Sequence, residues 1–305
     1  VRELAFKTPL DIRILTPAES VAEIARLMMK ELPPEKLAVE EEVMRAFGLL
    51  KPDQDLGQIL TGPFAHLVGG FYDPETKALY LIRGMPAQAV VTAHEMTHAL
   101  QDQHYDLQAA QETFKKGRTD SDRELAFTCL VEGDATHLME EYLKTTAGGN
   151  PIAGVRILLE TLAQPGLILN QLRAMRDMPP ALLRSVTFPY ENGKKFVAGI
   201  QRAQGWKGVD AMFAHPPVSS EQILHPEKYA EAARDDPVEI ALDPAPEGWE
   251  LVSEDTMGEL GIQVLLTQGL GRREAEKAAA GWDGDRYALY KKGTGRQVVW
   301  KTVWD

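Results

Sequence analysis

One pentapeptide carries the residue types and spacing of a metal-binding motif: His94-Glu95-Met96-Thr97-His98, an HExxH sequence. On a helix, positions i and i+4 share one face, so these two imidazoles can bind a single zinc ion. Glu95 is turned by about 100° from His94, which lets it reach a water molecule on the ion without being a ligand. The motif therefore predicts metal-assisted hydrolysis. A chance occurrence is the alternative, and the uncharged residues that flank the motif favour the metal site.

A catalytic zinc ion needs a third protein ligand and one open position. The predicted helix that begins at Asp122 offers Glu132, which shares a helix face with apolar residues such as Leu125 and Cys129. A carboxylate among core positions needs a partner, and a metal ion is one. A buried arginine is the alternative partner. Gly133 follows directly, and we expect it to let this helix approach the HExxH helix closely.

Two further carboxylates are candidates for orienting the histidine ligands. Asp102 lies four residues after His98 on the same helix, and Asp134 lies two residues after Glu132. Either could accept a hydrogen bond from an imidazole, as the outer partners of metal-bound histidines do. For each of them, a solvated surface carboxylate is the alternative interpretation.

Hydrolysis of an amide also needs a donor that stabilises the oxyanion. His215 and His225 flank a short turn after a double proline, and Tyr190 lies in the segment Phe188–Gly193. We predict the donor among these three catalytic candidates. The alternatives are a structural turn for each histidine and simple packing for the tyrosine.

With Glu132 in Val131-Glu-Gly-Asp-Ala135, the HExxH motif resembles that of the gluzincin metallopeptidases, whose thermolysin branch carries a helical glutamate after HExxH. The resemblance covers about Pro86–Leu143. It implies a zincin-like fold, in which the HExxH helix packs against the helix that bears the glutamate. It also implies one catalytic Zn²⁺ ion and cleavage of peptide bonds by a zinc-activated water, with Glu95 as the general base.

The resemblance is incomplete in two places. Many gluzincins have an aspartate four residues after the glutamate ligand, where this chain has Thr136. The segment His215–Leu224 is similar to an HPP motif of the CaaX-type membrane peptidases, but no apolar run in this chain is long enough to cross a bilayer. The resemblance thus implies a bacterial relative of the gluzincins in which other residues orient the histidine ligands.

The predicted function is a zinc-dependent metallopeptidase that acts on a peptide or protein substrate. The alternative is a catalytically silent zinc-binding scaffold that acts through protein contacts, and a zinc hydrolase of non-peptide substrates is a third possibility. The presence of Glu95 favours catalysis, because a scaffold needs only the metal ligands.

Helices must position these residues, and the sequence predicts a mainly α protein with a small β component (α+β). A β-hairpin just before the motif is either purely structural or offers an edge to which a peptide adds as a strand. The elements predicted up to the motif are a strand at Asp11–Leu15, helices at about Thr16–Leu32 and Glu35–Leu50, hairpin strands at Phe64–Tyr72 and Ala78–Arg83, and the motif helix at about Ala87–Leu107. Those predicted after it are helices at about Asp122–Ala147 (with a capping box, Ser121–Glu124), from Asn150 onward, Glu191–Gln204, Ser220–His225, Thr256–Gln268 and Arg272–Ala280, and a hairpin of Tyr287–Tyr290 and Val298–Val303.

A weak boundary near Gly148–Pro151 predicts two parts. Residues 1–148 would form an N-terminal region with the hairpin and the zinc-binding helices. Residues 149–305 would form a helical C-terminal region that ends in a β-hairpin. A single domain is the alternative.

Composition restricts the partners. The chain of 305 residues has 33 Lys and Arg against 45 Asp and Glu, a net charge of −12 that disfavours binding to nucleic acid. One cysteine, Cys129, excludes an intrachain disulfide and a multi-cysteine zinc site. The chain begins at Val1, so removal of an N-terminal segment stays open, as do the oligomeric state and a cytoplasmic or extracytoplasmic location.

Overall fold

The computed structural model describes residues 2–61, 68–85, 88–115, 118–149, 175–176, 178–230 and 234–305. Over these residues the chain combines helices with two small sheets, which confirms the predicted α+β class. The helix predicted from Asn150 onward lies outside the described residues. Among the helices that are described, none is both long and apolar enough to cross a membrane.

The elements of the first half lead up to two long helices. They are β1 (Asp11–Leu15), α1 (Pro17–Glu31), α2 (Pro34–Ala46), α3 (Leu56–Thr61), β2 (Gly70–Asp73), β3 (Ala78–Ile82), α4 (Gln88–Tyr105), α5 (Leu107–Lys115) and α6 (Ser121–Gly149). The elements of the second half are α7 (Pro180–Phe188), a π-helical turn (Pro189–Gly193), α8 (Lys194–Ala214), α9 (Ser220–Leu224), α10 (Pro226–Tyr229), β4 (Glu250–Asp255), α11 (Gly258–Leu266), α12 (Arg272–Ala279), β5 (Trp282–Lys292) and β6 (Gly295–Trp304).

The first sheet has the strand order β1-β3-β2. β1 runs parallel to β3, with Asp11 opposite Ala78, and β2 pairs antiparallel with β3 as the predicted hairpin. The first hairpin strand begins at Gly70 in the structure, and residues 64–67 of the predicted strand lie outside the described residues. β3 is buried along its whole length, as its apolar sequence requires. β2 and β3 pack against α4, so this sheet supports the helix that carries the HExxH motif.

The second sheet has the order β4-β5-β6, and its β5–β6 pair is the predicted C-terminal hairpin. β4 was not predicted from the sequence. The carboxylate of Asp285 on β5 accepts hydrogen bonds from the indole N–H groups of Trp282 and Trp300, each at 2.9 Å. It also accepts the backbone N–H groups of Met257 and Gly258, at 2.9 Å each, and so ties the start of α11 to the hairpin.

The main hydrophobic core lies around α6. Ala126, Cys129 and Leu130 on this helix pack in one cluster with residues such as Phe188 and Leu260 from the second half of the chain. Residues from before and after the predicted boundary therefore contribute to the same core. Residues from the second half of the chain pack against α6, the helix that carries Glu132.

The start of α6 is held differently from the prediction. Asp120 accepts a hydrogen bond from the backbone N–H of Arg123, so this aspartate caps the helix. Ser121, the predicted capping residue, instead donates to Asp255 at the end of β4. The predicted capping box at Ser121–Glu124 is wrong, because a tertiary acceptor takes the serine hydroxyl.

Burial of Glu221 in α9 makes the stability of the fold depend on pH. Its side chain is 1% exposed, and burial raises the pKa of Glu221 to about 7, although the nearby Lys228 opposes the shift. The folded state holds this proton more tightly than the unfolded state, so the stabilisation is complete at low pH and is lost as pH rises through about 7. We expect the free energy of unfolding, measured by urea titration, to fall by about 1–2 kcal/mol from pH 5 to pH 8. Glu221→Gln should flatten this dependence, and equal slopes would contradict the prediction.

Candidate metal centre

The HExxH motif lies on α4, as predicted, and α4 packs between the first sheet and α6. Ala99 and Leu100 are buried in this packing. The hydroxyl groups of Thr92 and Thr97 bond back to carbonyl groups one turn earlier, which satisfies them within the helix. The remaining face of α4 carries both histidines of the motif towards α6.

Three side chains converge between α4 and α6. His94 Nε2 lies 3.2 Å from Glu132 Oε2, His98 Nε2 lies 3.4 Å from the same oxygen, and the two nitrogens are 3.1 Å apart. We call these three residues the metal cluster; a further candidate group of three aspartates lies elsewhere in the described residues. Atoms that bind zinc at about 2.0–2.1 Å in a tetrahedron are about 3.3 Å from one another. The three separations fit one face of such a tetrahedron and leave its fourth corner open.

Charges within the metal cluster shift its proton affinities. Burial alone would lower the pKa of His98, but the carboxylate of Glu132 outweighs it and raises this pKa to about 9. Burial would raise the pKa of Glu132, and the two imidazoles outweigh that effect and hold it well below its usual range. The cluster thus favours a positive charge beside the carboxylate, and a metal ion bound there would compete with a proton for the same nitrogen atoms.

Glu95 lies beside the cluster. Its side chain is buried, and its carboxylate accepts the backbone N–H of Tyr72 on β2. β2 passes close enough that a Cβ atom on Gly70 would lie 3.4 Å from Cγ of Glu95. The strand therefore holds the carboxylate next to the histidines, in the place that a general base would take.

The π-helical turn brings Tyr190 to the metal cluster. Its ring stacks on His94 with the centroids 6.2 Å apart, and its hydroxyl donates a hydrogen bond to Glu132. Tyr190 is 43% exposed. Partial loss of water around its hydroxyl and the nearby carboxylates of Glu132 and Glu95 nevertheless raise the pKa of Tyr190, so the hydroxyl keeps its proton at neutral pH. The sequence named this tyrosine as a candidate, and the structure places it within reach of a group bound at the cluster.

Two glycines allow the π-helical turn to lie close to α6. A Cβ atom on Gly133 would lie 2.4 Å from the backbone of Gly193, and one on Gly193 would lie 2.3 Å from the carbonyl oxygen of Cys129. The expectation that Gly133 brings α6 close to the HExxH helix is therefore corrected. The glycine instead admits the π-helical turn, and π-helical turns occur often at functional sites.

Gln101 is the residue that sequence reasoning missed. Its side-chain oxygen lies 3.0 Å from His98 Nδ1, and its side-chain nitrogen donates to the carbonyl of Val131 and to Asp134, both at 3.0 Å. Because the amide nitrogen is engaged on both sides, the amide oxygen is the acceptor and His98 Nδ1 the donor. Gln101 lies three residues after His98 on the same helix, and this spacing could have indicated that the two side chains meet.

The structure gives different partners to the two carboxylates that were predicted to orient the histidines. Asp134 reaches His98 only through Gln101. Asp102 accepts instead from the hydroxyl of Tyr72 at 2.7 Å, from Lys77 and from the backbone N–H of Leu107. These three donors supply the hydrogen bonds of the Asp102 carboxylate. Asp102 therefore joins the hairpin to α4 and does not orient a histidine of the metal cluster.

The structure does not bring the two other oxyanion candidates, His215 and His225, into contact with the metal cluster. His225 Nε2 lies 3.1 Å from the buried carboxylate of Glu259 on α11, which needs a positive partner. His215 ends α8, where its backbone carbonyl accepts the hydroxyl of Tyr229. Neither histidine contacts the metal cluster in the described part of the chain, and Tyr190 alone of the three candidates does.

Comparison with known proteins gives one match. A model of a domain of unknown function (DUF8575) matches residues 243–305, which hold the second sheet with α11 and α12. No curated protein and no solved structure matches the chain. The matched segment contains no residue of the metal cluster, so the family match bears on the C-terminal part alone.

Proposed function

We propose that the protein is a zinc-dependent metallopeptidase of the gluzincin type, with a zincin-like packing of α4 against α6. The observation that carries the proposal is the convergence of His94, His98 and Glu132 at separations of 3.1–3.4 Å. Two imidazoles and a carboxylate with one open corner are the donor set of a catalytic zinc site. Glu95 lies beside the cluster without belonging to it, as a general base must.

A zinc ion in this cluster would supply a Lewis acid that polarises a scissile carbonyl and activates water near neutral pH. Glu95 would take the proton from the attacking water and pass it to the leaving amine. The N–H of Tyr72 donates to this carboxylate and would keep it oriented during both transfers. The buried position of Glu95 limits competing contacts with bulk water.

Tyr190 is the donor that we assign to the oxyanion. Its hydroxyl keeps its proton and already donates to Glu132 at the cluster. Released from Glu132, the hydroxyl would donate to an oxygen held at the open corner, where negative charge would develop in the reaction.

The outer edge of β2 supports a peptide as the substrate. β2 lies at one edge of the described sheet, and its Tyr72 directs a backbone N–H away from β3 to Glu95. A peptide that added to this edge as a strand would carry its backbone past the general base.

Replacing the tyrosine hydroxyl tests its role. We expect Tyr190→Phe to lower kcat by about 10- to 100-fold, because the oxyanion loses one donor while ground-state binding is kept. KM and zinc content should change little. Tyr229→Phe, which removes a hydroxyl bonded to a backbone carbonyl, is the matched control. A normal kcat in Tyr190→Phe with zinc bound would exclude the assignment.

A mixed peptide library tests the proposal as a whole. Zinc-loaded protein should create new peptide termini that mass spectrometry detects, and treatment with a chelator should abolish them. Protein that binds one zinc ion but cleaves no peptide would favour the scaffold, or a hydrolase of non-peptide substrates. Protein that binds no zinc would overturn the proposal.

A further inference from the structure

A chain of buried polar groups continues from His98 away from the metal cluster. Gln101 is 1% exposed, Asp134 is fully buried, and the side chain of Arg2 is 3% exposed. Gln101 accepts from His98 and donates to Asp134, and Arg2 Nε lies 3.3 Å from Asp134 Oδ1. We call Gln101, Asp134 and Arg2 the relay.

Arg2 is held at several points. Its Nη2 lies 2.6 Å from Asp210 on α8, and Asp210 also accepts the hydroxyl of Tyr105 at the end of α4. Its guanidinium group lies over the ring of Trp206, 4.7 Å from the ring centroid. Arg2 thus links Asp134 on α6 to Asp210 on α8.

The relay sets the orientation of Gln101. An amide side chain can present either its oxygen or its nitrogen to an imidazole, and the two choices demand opposite tautomers of the imidazole. A carboxylate at Asp134 accepts only, so the amide nitrogen faces Asp134 and the oxygen faces His98. This leaves Nδ1 of His98 protonated and Nε2 free for a metal ion.

The charge of Arg2 stabilises the Asp134 carboxylate in the position where it accepts from Gln101. Arg2 is the cation paired with Asp134. A buried carboxylate that loses such a partner is strongly destabilised, and it moves or draws in water to recover solvation. Either response removes the acceptor that orients the Gln101 amide. The effect of Arg2 therefore reaches His98, although the two residues do not touch.

We infer that Arg2 is a positioning residue of the metal centre, acting through Asp134 and Gln101 to direct Nε2 of His98 at the ion. The inference rests on the proposed metal site. It adds a role for the N-terminal segment, which lies far from the HExxH motif in sequence.

The test uses the full chain loaded with ¹¹³Cd²⁺, a spectroscopic substitute for zinc. Competition with a chelator gives the Kd of each variant, and the ¹⁵N–¹¹³Cd coupling identifies the imidazole nitrogen that binds the metal. We expect Arg2→Ala to bind the ion about 10-fold more weakly and to lose the single Nε2 coupling of His98. Arg2→Lys should recover part of the affinity, since an ammonium group can still pair with Asp134. Arg26→Ala, which removes an exposed arginine paired with Glu23, is the control and should match the native protein.

The outcomes separate the two proposals. A native protein that takes up no cadmium and no zinc overturns the metal site itself. A native protein that binds the ion, with the same Kd and Nε2 coupling in Arg2→Ala, overturns the positioning role alone. If Arg2→Ala does not fold, Gln101→Met decides, because it breaks the relay and leaves Arg2 paired with Asp134. Unchanged coupling in Gln101→Met would then overturn the inference.

Discussion

Glu132→Ala is expected to leave the protein folded and to deprive it of zinc. The carboxylate is the one anionic ligand in the metal cluster, and both imidazole Nε2 atoms lie within 3.4 Å of it. Removing it leaves two neutral ligands, and we expect the affinity for zinc to fall by on the order of 100- to 1,000-fold. Alanine is a good helix former, so α6 should persist.

The measurement is the metal content after dialysis against a weak chelator, with circular dichroism as the check on folding. Glu140→Ala is the matched control, because Glu140 lies on the same helix and pairs with Lys194. Full zinc occupancy in Glu132→Ala would show that another group is the third ligand. Loss of zinc in both variants would point to a general disturbance of α6.

The second large effect is expected from Glu95→Gln. Glutamine has the same shape and can keep the contact with the N–H of Tyr72, but it cannot accept the proton of the attacking water. We therefore expect kcat to fall by about 100- to 10,000-fold with little change in KM. Zinc should stay bound, because Glu95 is outside the metal cluster.

Cleavage rates of purified variants on one peptide from the library test this expectation. Glu112→Gln, a substitution of an exposed glutamate on α5, controls for the loss of one negative charge. Equal rates for the native protein and Glu95→Gln would mean that Glu95 is not the base, or that a contaminant cleaves the peptide. Loss of zinc in Glu95→Gln would assign this residue to metal binding instead.

The parts of the candidate site that could be predicted are local in sequence. His94 and His98 are one helical turn apart, and Glu132 stands out as a carboxylate on an apolar helix face. Spacing and periodicity therefore identified all three residues of the metal cluster. The α+β class followed in the same way, from helical periods and from hairpins with recognisable turns. The strand β4 was not predicted, because its polar sequence, Glu250–Asp255, lacks a strong alternating pattern.

The sequence named Tyr190 and Asp134 as candidates but could not show which groups they contact, because those contacts join distant parts of the chain. Arg2 and Asp134 are 132 residues apart, and Tyr190 meets His94 only because the π-helical turn packs against α6. Sequence spacing could not show that Tyr72 and Lys77 satisfy Asp102, or that Glu259 engages His225. Helical spacing was enough to identify the three groups that could hold a metal ion. Only the packing of α4, α6 and the π-helical turn decided which side chains orient those groups, because orientation depends on neighbours that the chain brings together by folding.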